Sequence, residues 1–324
     1  MGNSRAIGII TPAAPRSRHG NRVTALRWAR LLRQLGCHPF LATEWQGRPA
    51  EALLAVHATK SADAVDAFLQ RHPDRKVAVL LAGTDIYPHF DPDPRTTRCL
   101  DQAEVVLVLQ PEALDFLPDQ YASKARVILQ SATVDPQLER SPRQPGEALR
   151  VCMLAHLRAI KAPMLAFAAE QRVDPDLALH IEIAGQTIDE DLATAVRQAE
   201  TPRCRWIGPL SHPDAIRLLR QSHACLLPSA GEGGANVVSE SIAAGTPLLA
   251  SKIPGNTGLL GSDWPGLFPP DDAAALALLL ERLVGDQAFH NDLCQRTLAL
   301  QPKIQPERER QSLAEVIDLL GIPT

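Results

Sequence analysis

Short apolar runs of strand length alternate with amphipathic stretches of helix length along almost the whole chain. "RAIGII", "HPFLAT", "LLAVHA", "KVAVLLAG", "EVVLVLQ" and "RVILQS" recur with helical or loop segments between them. Runs this uniformly apolar belong to parallel strands covered on both faces. The first helical stretch, "NRVTALRWARLLRQLG", carries a buried stripe at Ala25, Trp28, Ala29, Leu32 and Leu35. Asn21 is its expected cap and Gly36 its stop. The alternation pauses at "LERSPRQPGEALR", 138–150, where prolines, a glycine and charges mark a linker. It restarts with "RVCMLA", "ALHIEIAG", "CRWIG" and "HACLLP" as strands and "KAPMLAFAAEQR", "DEDLATAVRQAE" and "HPDAIRLLRQS" as helices. The reading is α/β, with two doubly wound domains over 1–140 and 151–303, a linker at 141–150 and a terminal segment at 304–324.

Composition narrows the function classes. The chain has 324 residues and is 45% hydrophobic, enough for two cores. A net charge of −4 gives no general basic excess for nucleic acid. No apolar run reaches membrane-spanning length, and the Met1-Gly2 start lacks the later Ser or Thr of a myristoylation signal. Neither nucleic acid nor membrane is therefore an expected partner. Cysteines 37, 99, 152, 204, 225 and 294 form no Cys-x-x-Cys pair. They read as reduced thiols of a cytoplasmic protein rather than a zinc site. Oligomeric state is not legible.

The most informative stretch is "SAGEGGANVVSESIAAGTPLLAS", 229–251. It follows the strand "HACLLP", so Ser229–Gly234 is read as a loop at a strand's carboxyl end, Ala235–Ala244 as a helix and Gly245 as its stop. Gly233 and Gly234 leave backbone bare at a helix N-terminus, where Ala235 and Asn236 present N–H groups to a phosphate. Glu232 sits in the loop beside the bound group. Glu240, eight positions on, suits the paired hydroxyls of a ribose. A solvated surface helix is the plainer reading, but the preceding strand, glycine pair and Gly-Thr-Pro stop all agree with a nucleotide-sugar site.

These residues resemble the donor-binding signature of glycosyltransferase family four. The resemblance implies a GT-B fold: two Rossmann-like domains facing across a cleft, with a C-terminal helix crossing back to the first. "LAHLRAIKAP" is similar to the family's Gly-Arg-Leu-x3-Lys segment. Lys161 falls on the lysine, Ala155-His156 replace Gly-Arg, and an arginine follows the leucine as Arg158. The resemblance thus implies that Lys161 and Arg158, with the helix at Gly234, serve the departing diphosphate, that Glu232 is a catalytic carboxylate at one end of the nucleotide sugar, and that His156 lines the donor site. "IPGNTGLLGSDWPGLFPPDD" resembles the glycine-containing loop that closes over donor sugars. "GNRVTALRWA", "AGTDIY", "QSA", "EGGANVVSE" and "GNTGLLG" place the chain nearest the members that glycosylate selenophosphate. A UDP-sugar, of N-acetylglucosamine or glucose, is the implied donor.

The acceptor side is read from charge. In "TPAAPRSRHGNR", Arg16, Arg18, His19 and Arg22 crowd the turn Gly20-Asn21 at a helix N-terminus. This is either an anion pocket or a basic loop over the cleft. Lys60, Thr84 and Asp85 end neighbouring strands and are the remaining acceptor candidates, though Asp85 equally suits a cap or turn. His57 and His156 are possible hydrogen-bond donors at strand ends. Asp91-Pro92-Asp93 and Asp174-Pro175-Asp176 are proline-spaced and read as turns, so neither metal nor cofactor is expected. The competing readings are the same fold with a glycan, lipid or small-metabolite acceptor, an epimerase or phosphorylase on that scaffold, and a non-catalytic nucleotide-sugar sensor. A dinucleotide oxidoreductase lacks its Gly-x-Gly-x-x-Gly after the first strand.

Overall fold

The computed structural model describes residues 5–17, 19–87, 93–140, 143–144 and 146–322. The chain divides into two units. The first comprises Met1–Ser131, Glu232–Ala235 and Pro306–Thr324; the second comprises Ala132–Gly231 and Asn236–Gln305.

The first unit is built on six strands: β1 (Ala6–Ile10), β2 (His38–Ala42), β3 (Ala52–Val56), β4 (Lys76–Leu80), β5 (Val105–Val108) and β6 (Ala125–Val127). Their order is β2-β1-β3-β4-β5-β6 and every pairing is parallel. Period-two alternation sends successive side chains to opposite faces. Leu54 and Val56 join Ile7, Ile9 and Leu80 beneath the helix Gly20–Gln34 on one face. Leu53 and Ala55 join Val77, Val79 and Val106 on the other, with Val65 and Phe68 of the helix Ala58–Arg71.

The terminal helix Pro306–Leu319 also covers the first of these faces. Leu313, Val316, Ile317 and Leu320 are buried with Trp28, Leu31 and Leu32. Glu309 fastens it: its carboxylate accepts hydrogen bonds from Arg27 Nε, Trp28 Nε1 and the Ser131 N–H and hydroxyl.

The second unit has β7 (Leu149–Leu154), β8 (Leu179–Ala184), β9 (Cys204–Gly208), β10 (Ala224–Leu227), β11 (Leu248–Ser251) and β12 (Leu267–Phe268), ordered β12-β11-β10-β7-β8-β9 and again all parallel. Counted from β7, this is the strand order of a dinucleotide-binding sheet, and it reverses direction between β7 and β10.

Three local expectations change. The first helix opens at Gly20 with an extended His19 before it and no side-chain cap bond, so Asn21 lies inside the first turn rather than capping it. The segment expected as a long loop after β11 contains a buried helix, Pro254–Leu260, and the two-residue strand β12. Its glycines had masked a helix whose first turn is set by Pro254. The helix after β10 begins at Asn236, one residue later than expected. Gly245 does stop it, at φ 72° with its N–H on Ile242 O at 3.0 Å.

Candidate functional site

In an open parallel sheet, connections leave in opposite directions where the strand order reverses, opening a crevice outside the carboxyl ends. In the second unit this point lies between β7 and β10. Beyond β7 the chain stays extended and parallel to its neighbour, with Ala155 N–H on Ala184 O at 3.0 Å and Leu157 N–H on Gln186 O at 2.9 Å. His156 Nδ1 accepts the Gln186 N–H at 3.2 Å, so a neutral ring carries its proton on Nε2 and is a donor there. Arg158 is exposed and starts a single tight turn, Ala159–Lys161, closed by Ala162 in the left-handed region at φ 45°. Lys161 is half-buried at its end. The Ala230 N–H donates to Ile160 O at 2.9 Å, which ties the Lys161 turn to the loop after β10.

That loop rests on buried polar groups. Ser251 Oγ donates to Ser229 O, and Asn256 Nδ2 donates to Ser251 O at 2.9 Å. Ser229 and Asn256 are both fully buried, yet among the described residues Ser229 Oγ and Asn256 Oδ1 have no hydrogen-bond partner. An unsatisfied buried polar atom costs about 1–3 kcal/mol, so two at one strand edge mark a place built for a ligand or ordered water. Glu240 projects from the helix Asn236–Ala244 with 18% of its side chain exposed, and His212 Nδ1 lies 3.7 Å from its Oε1.

In the first unit the order reverses between β1 and β3. The loops after β1, β3 and β4 therefore emerge side by side at the carboxyl edge. The β1 loop holds Arg16, exposed at φ 69°, His19, also exposed, and Arg22 in the first helical turn. Arg18 lies outside the described residues. Gly20 opens the helix as its first residue and Asn21 follows it. Thr11 Oγ1, Ser17 Oγ and Arg22 Nε are buried without partners among the described residues. Lys60 is exposed in the first turn of the helix Ala58–Arg71. Among the described residues, Arg16, Arg22, Lys60 and, in the second unit, Arg158 pair with no carboxylate.

The β3 and β4 loops are laced together. Asp85, its side chain wholly buried, accepts the Ala58 N–H at 2.9 Å and the Ala82 and Gly83 N–H groups at 2.8 Å each. It braces the loops and caps a helix. His57, 5% exposed and at φ 74°, lies with Nε2 3.0 Å from Thr84 Oγ1 and Nδ1 3.4 Å from Asp85 Oδ2. Burial pushes the His57 pKa down, Asp85 pulls it up and Lys60 down, and the net is lower than usual. Thr84 itself is exposed.

Glu232–Ala235 group with this unit. Gly233 lies so close to the β4 loop that a Cβ there would fall 2.4 Å from Ala82 O, and one on Gly234 would fall 2.5 Å from Leu109 Cβ. The two glycines are required by backbone approach. Glu232 and Ala235 are buried beside them. Sequence reasoning passed over Thr11, Ser229 and Asn256. For Thr11 and Ser229 the signal is a lone hydroxyl just past an apolar strand; Asn256, inside the helix Pro254–Leu260, carries none.

Residues 148–286 match the family described as Glycosyl transferases group 1. The matched stretch runs from β7 through the helix Ala273–Gly285. The glycogen synthase of Mycobacterium tuberculosis is 32% identical over 157 residues, which cover 47% of this chain and 37% of that protein. The match thus spans little more than a third of that relative's length. Across the whole chain the likeness is structural. Sucrose-phosphate synthase from Thermosynechococcus elongatus superposes with a TM-score of 0.77 at 15% identity, covering 98% of this chain and 99% of that one. Anabaena Alr3699/HepE in complex with UDP and glucose does so at 0.77 and 15%, covering 97% and 99%. The fold is GT-B-like. The residues matched to the group 1 family include the Lys161 turn and the Glu240 helix.

Proposed function

We propose that this protein is a UDP-sugar-dependent glycosyltransferase that moves N-acetylglucosamine or glucose to selenophosphate, a selenosugar synthase of the selenoneine route. One observation carries the donor half. The Lys161 turn is hydrogen-bonded to the loop after β10 at the reversal point of the second sheet. There a diphosphate would meet Lys161, Arg158, the His156 Nε2–H and the N-terminus of the helix Asn236–Ala244, while Glu240 accepts from the ribose. Glu232, Gly233, Gly234 and Ala235 form the connecting loop. UDP held by HepE supports the choice of nucleotide.

The acceptor half rests on charge. Arg16, His19, Arg22 and Lys60 surround the carboxyl edge of β1 and β3, beside the N–H groups of Gly20 and Asn21, and among the described residues Arg16, Arg22 and Lys60 pair with no carboxylate. That arrangement favours a small anion over a neutral sugar. Transfer forms a bond from the acceptor's selenium to the sugar's C1. The C1–oxygen bond breaks, and its electron pair leaves with UDP. The residues' work is to stabilise that departing charge and orient the acceptor. No metal is required in this reading, because cationic side chains and a helix terminus take its place.

The test is UDP release by purified protein supplied with UDP-N-acetylglucosamine or UDP-glucose and, in turn, selenophosphate, thiophosphate, phosphate and neutral sugars. Selenophosphate should be preferred, with activity persisting in EDTA. Arg22→Ala should raise the acceptor KM and leave donor affinity unchanged. Preference for a neutral acceptor would overturn the acceptor assignment, and UDP binding without any turnover would make the protein a sensor.

A further inference from the structure

The β3 and β4 loops of the first unit hold an arrangement that the anion-binding reading does not use. Thr84 and Asp85 are adjacent in sequence, and the His57 ring lies between their side chains. Nε2 is 3.0 Å from Thr84 Oγ1, and Nδ1 faces Asp85 Oδ2 at 3.4 Å. Asp85 cannot turn away, because three backbone N–H groups hold its two oxygens. The ring is nine-tenths buried, but Nδ1 makes no hydrogen bond to any described residue. Its residue stands in the left-handed region that a side chain ordinarily avoids. A histidine filling space would need neither that backbone nor an unengaged nitrogen aimed at a carboxylate. Only Thr84, at the end of the row, is exposed.

We infer that Thr84, His57 and Asp85 form a proton relay, with Thr84 Oγ1 hydrogen-bonded to an acceptor that still carries a proton, and His57 the base behind it. The inference rests on the glycosyl-transfer reading and specifies its acceptor as a protonated anion of the phosphate class. The acceptor gives its proton to Thr84 Oγ1, and the Thr84 hydroxyl proton passes to His57 Nε2. The ring becomes an imidazolium and closes the gap to Asp85. The acceptor's freed electron pair attacks the sugar C1, and UDP leaves with the pair of the broken bond. Proton loss from the ring to solvent completes the cycle.

The ring starts neutral at pH 7. Burial is the main cause; of the charged groups acting on it, Asp85 on the β4 loop opposes burial and Lys60 on its own helix reinforces it. Thr84 is the catalytic contact, and His57 and Asp85 act through it.

The experiment uses the full chain, 15N-labelled at histidine, with the His57 ring assigned by His57→Gln. Inorganic thiophosphate is added without any donor, between pH 6 and 8. The free ring should be neutral with its proton on Nδ1. Thiophosphate should shift Nε2 toward the protonated form in wild type and Thr84→Ser, but not in Thr84→Val. In turnover assays His57→Gln should lower kcat about 100-fold, the low end for a lost acid–base group. It should also abolish the acidic limb of the pH profile and leave the donor KM unchanged. Ring signals unmoved by thiophosphate, whether it binds or not, or a Thr84→Val protein behaving as wild type, would overturn the relay. A normal ring shift with no UDP release from any acceptor would instead sink the glycosyltransferase reading and leave the relay standing.

Discussion

Glu309→Ala tests how the terminal helix is held to the first unit. The Glu309 side chain is wholly buried, and its partner Arg27 is 12% exposed. Arg27 Nε reaches both carboxylate oxygens at 3.0 and 2.9 Å, Trp28 Nε1 donates at 2.8 Å and the Ser131 N–H at 2.8 Å. Removing the carboxylate takes from a largely buried guanidinium the counter-charge at its Nε, and breaking such a pair costs about 3–5 kcal/mol. The orphaned indole and backbone N–H groups push toward the upper end. At about 2–4 °C per kcal/mol for a unit of this size, Tm should fall by roughly 6–20 °C. Calorimetry with a urea titration measures both quantities. Arg27→Ala with Glu309→Ala should cost less than the two single changes added, because the double variant buries no unpaired charge. A Glu309→Ala protein within about 1 kcal/mol of wild type would refute this account.

Glu240→Ala should weaken UDP binding about 10- to 150-fold, from roughly 1.5–3 kcal/mol for hydrogen bonds to a charged acceptor, and calorimetry on the folded variant decides it. Lys161→Ala should lower kcat more than it lowers Tm; normal turnover at saturating donor would make the lysine structural. His223 gives a pH dependence. Burial, with Arg150, lowers its pKa from 6.5 to about 4, and its Nδ1 accepts the Arg150 N–H at 3.0 Å. The unfolded chain therefore takes up a proton first. This part of the stability is complete above pH 6.5 and is lost as pH falls toward 4, a loss that His223→Gln should reduce in urea titrations run across that window.

Much of the layout is written in local pattern. Apolar runs such as "KVAVLLAG" and "RVCMLA" identify parallel strands because a strand covered on both faces has no polar side to show. The stripe at Leu313, Val316, Ile317 and Leu320 marks a packed helix for the corresponding reason at period 3.6. The Gly-Thr-Pro stop and the preceding strand likewise place the Glu240 helix correctly to within a residue.

What local pattern carries poorly are segments whose conformation depends on distant partners. "PGNTGLL" looks like a loop because its glycines have weak helix propensity, and it is helical because the burial of Leu259 and Leu260 outweighs that preference. Residue order says that Gly233 lacks a side chain. Only the approach to Ala82 O, 151 positions earlier, says why none fits. Asp85 is one more acidic residue in the sequence until strand order sets β3 beside β4 and three N–H groups claim its oxygens. His57 acquires its meaning in the same way, from Thr84 and Asp85 on the neighbouring loop. Sequence alone determined which residues carry charge and which strongly patterned segments are strand or helix, since those depend on the side chain and its near neighbours. Tertiary structure decided which of those residues meet, because contact between strand ends is set by sheet order, and sheet order is a property of the whole chain's packing.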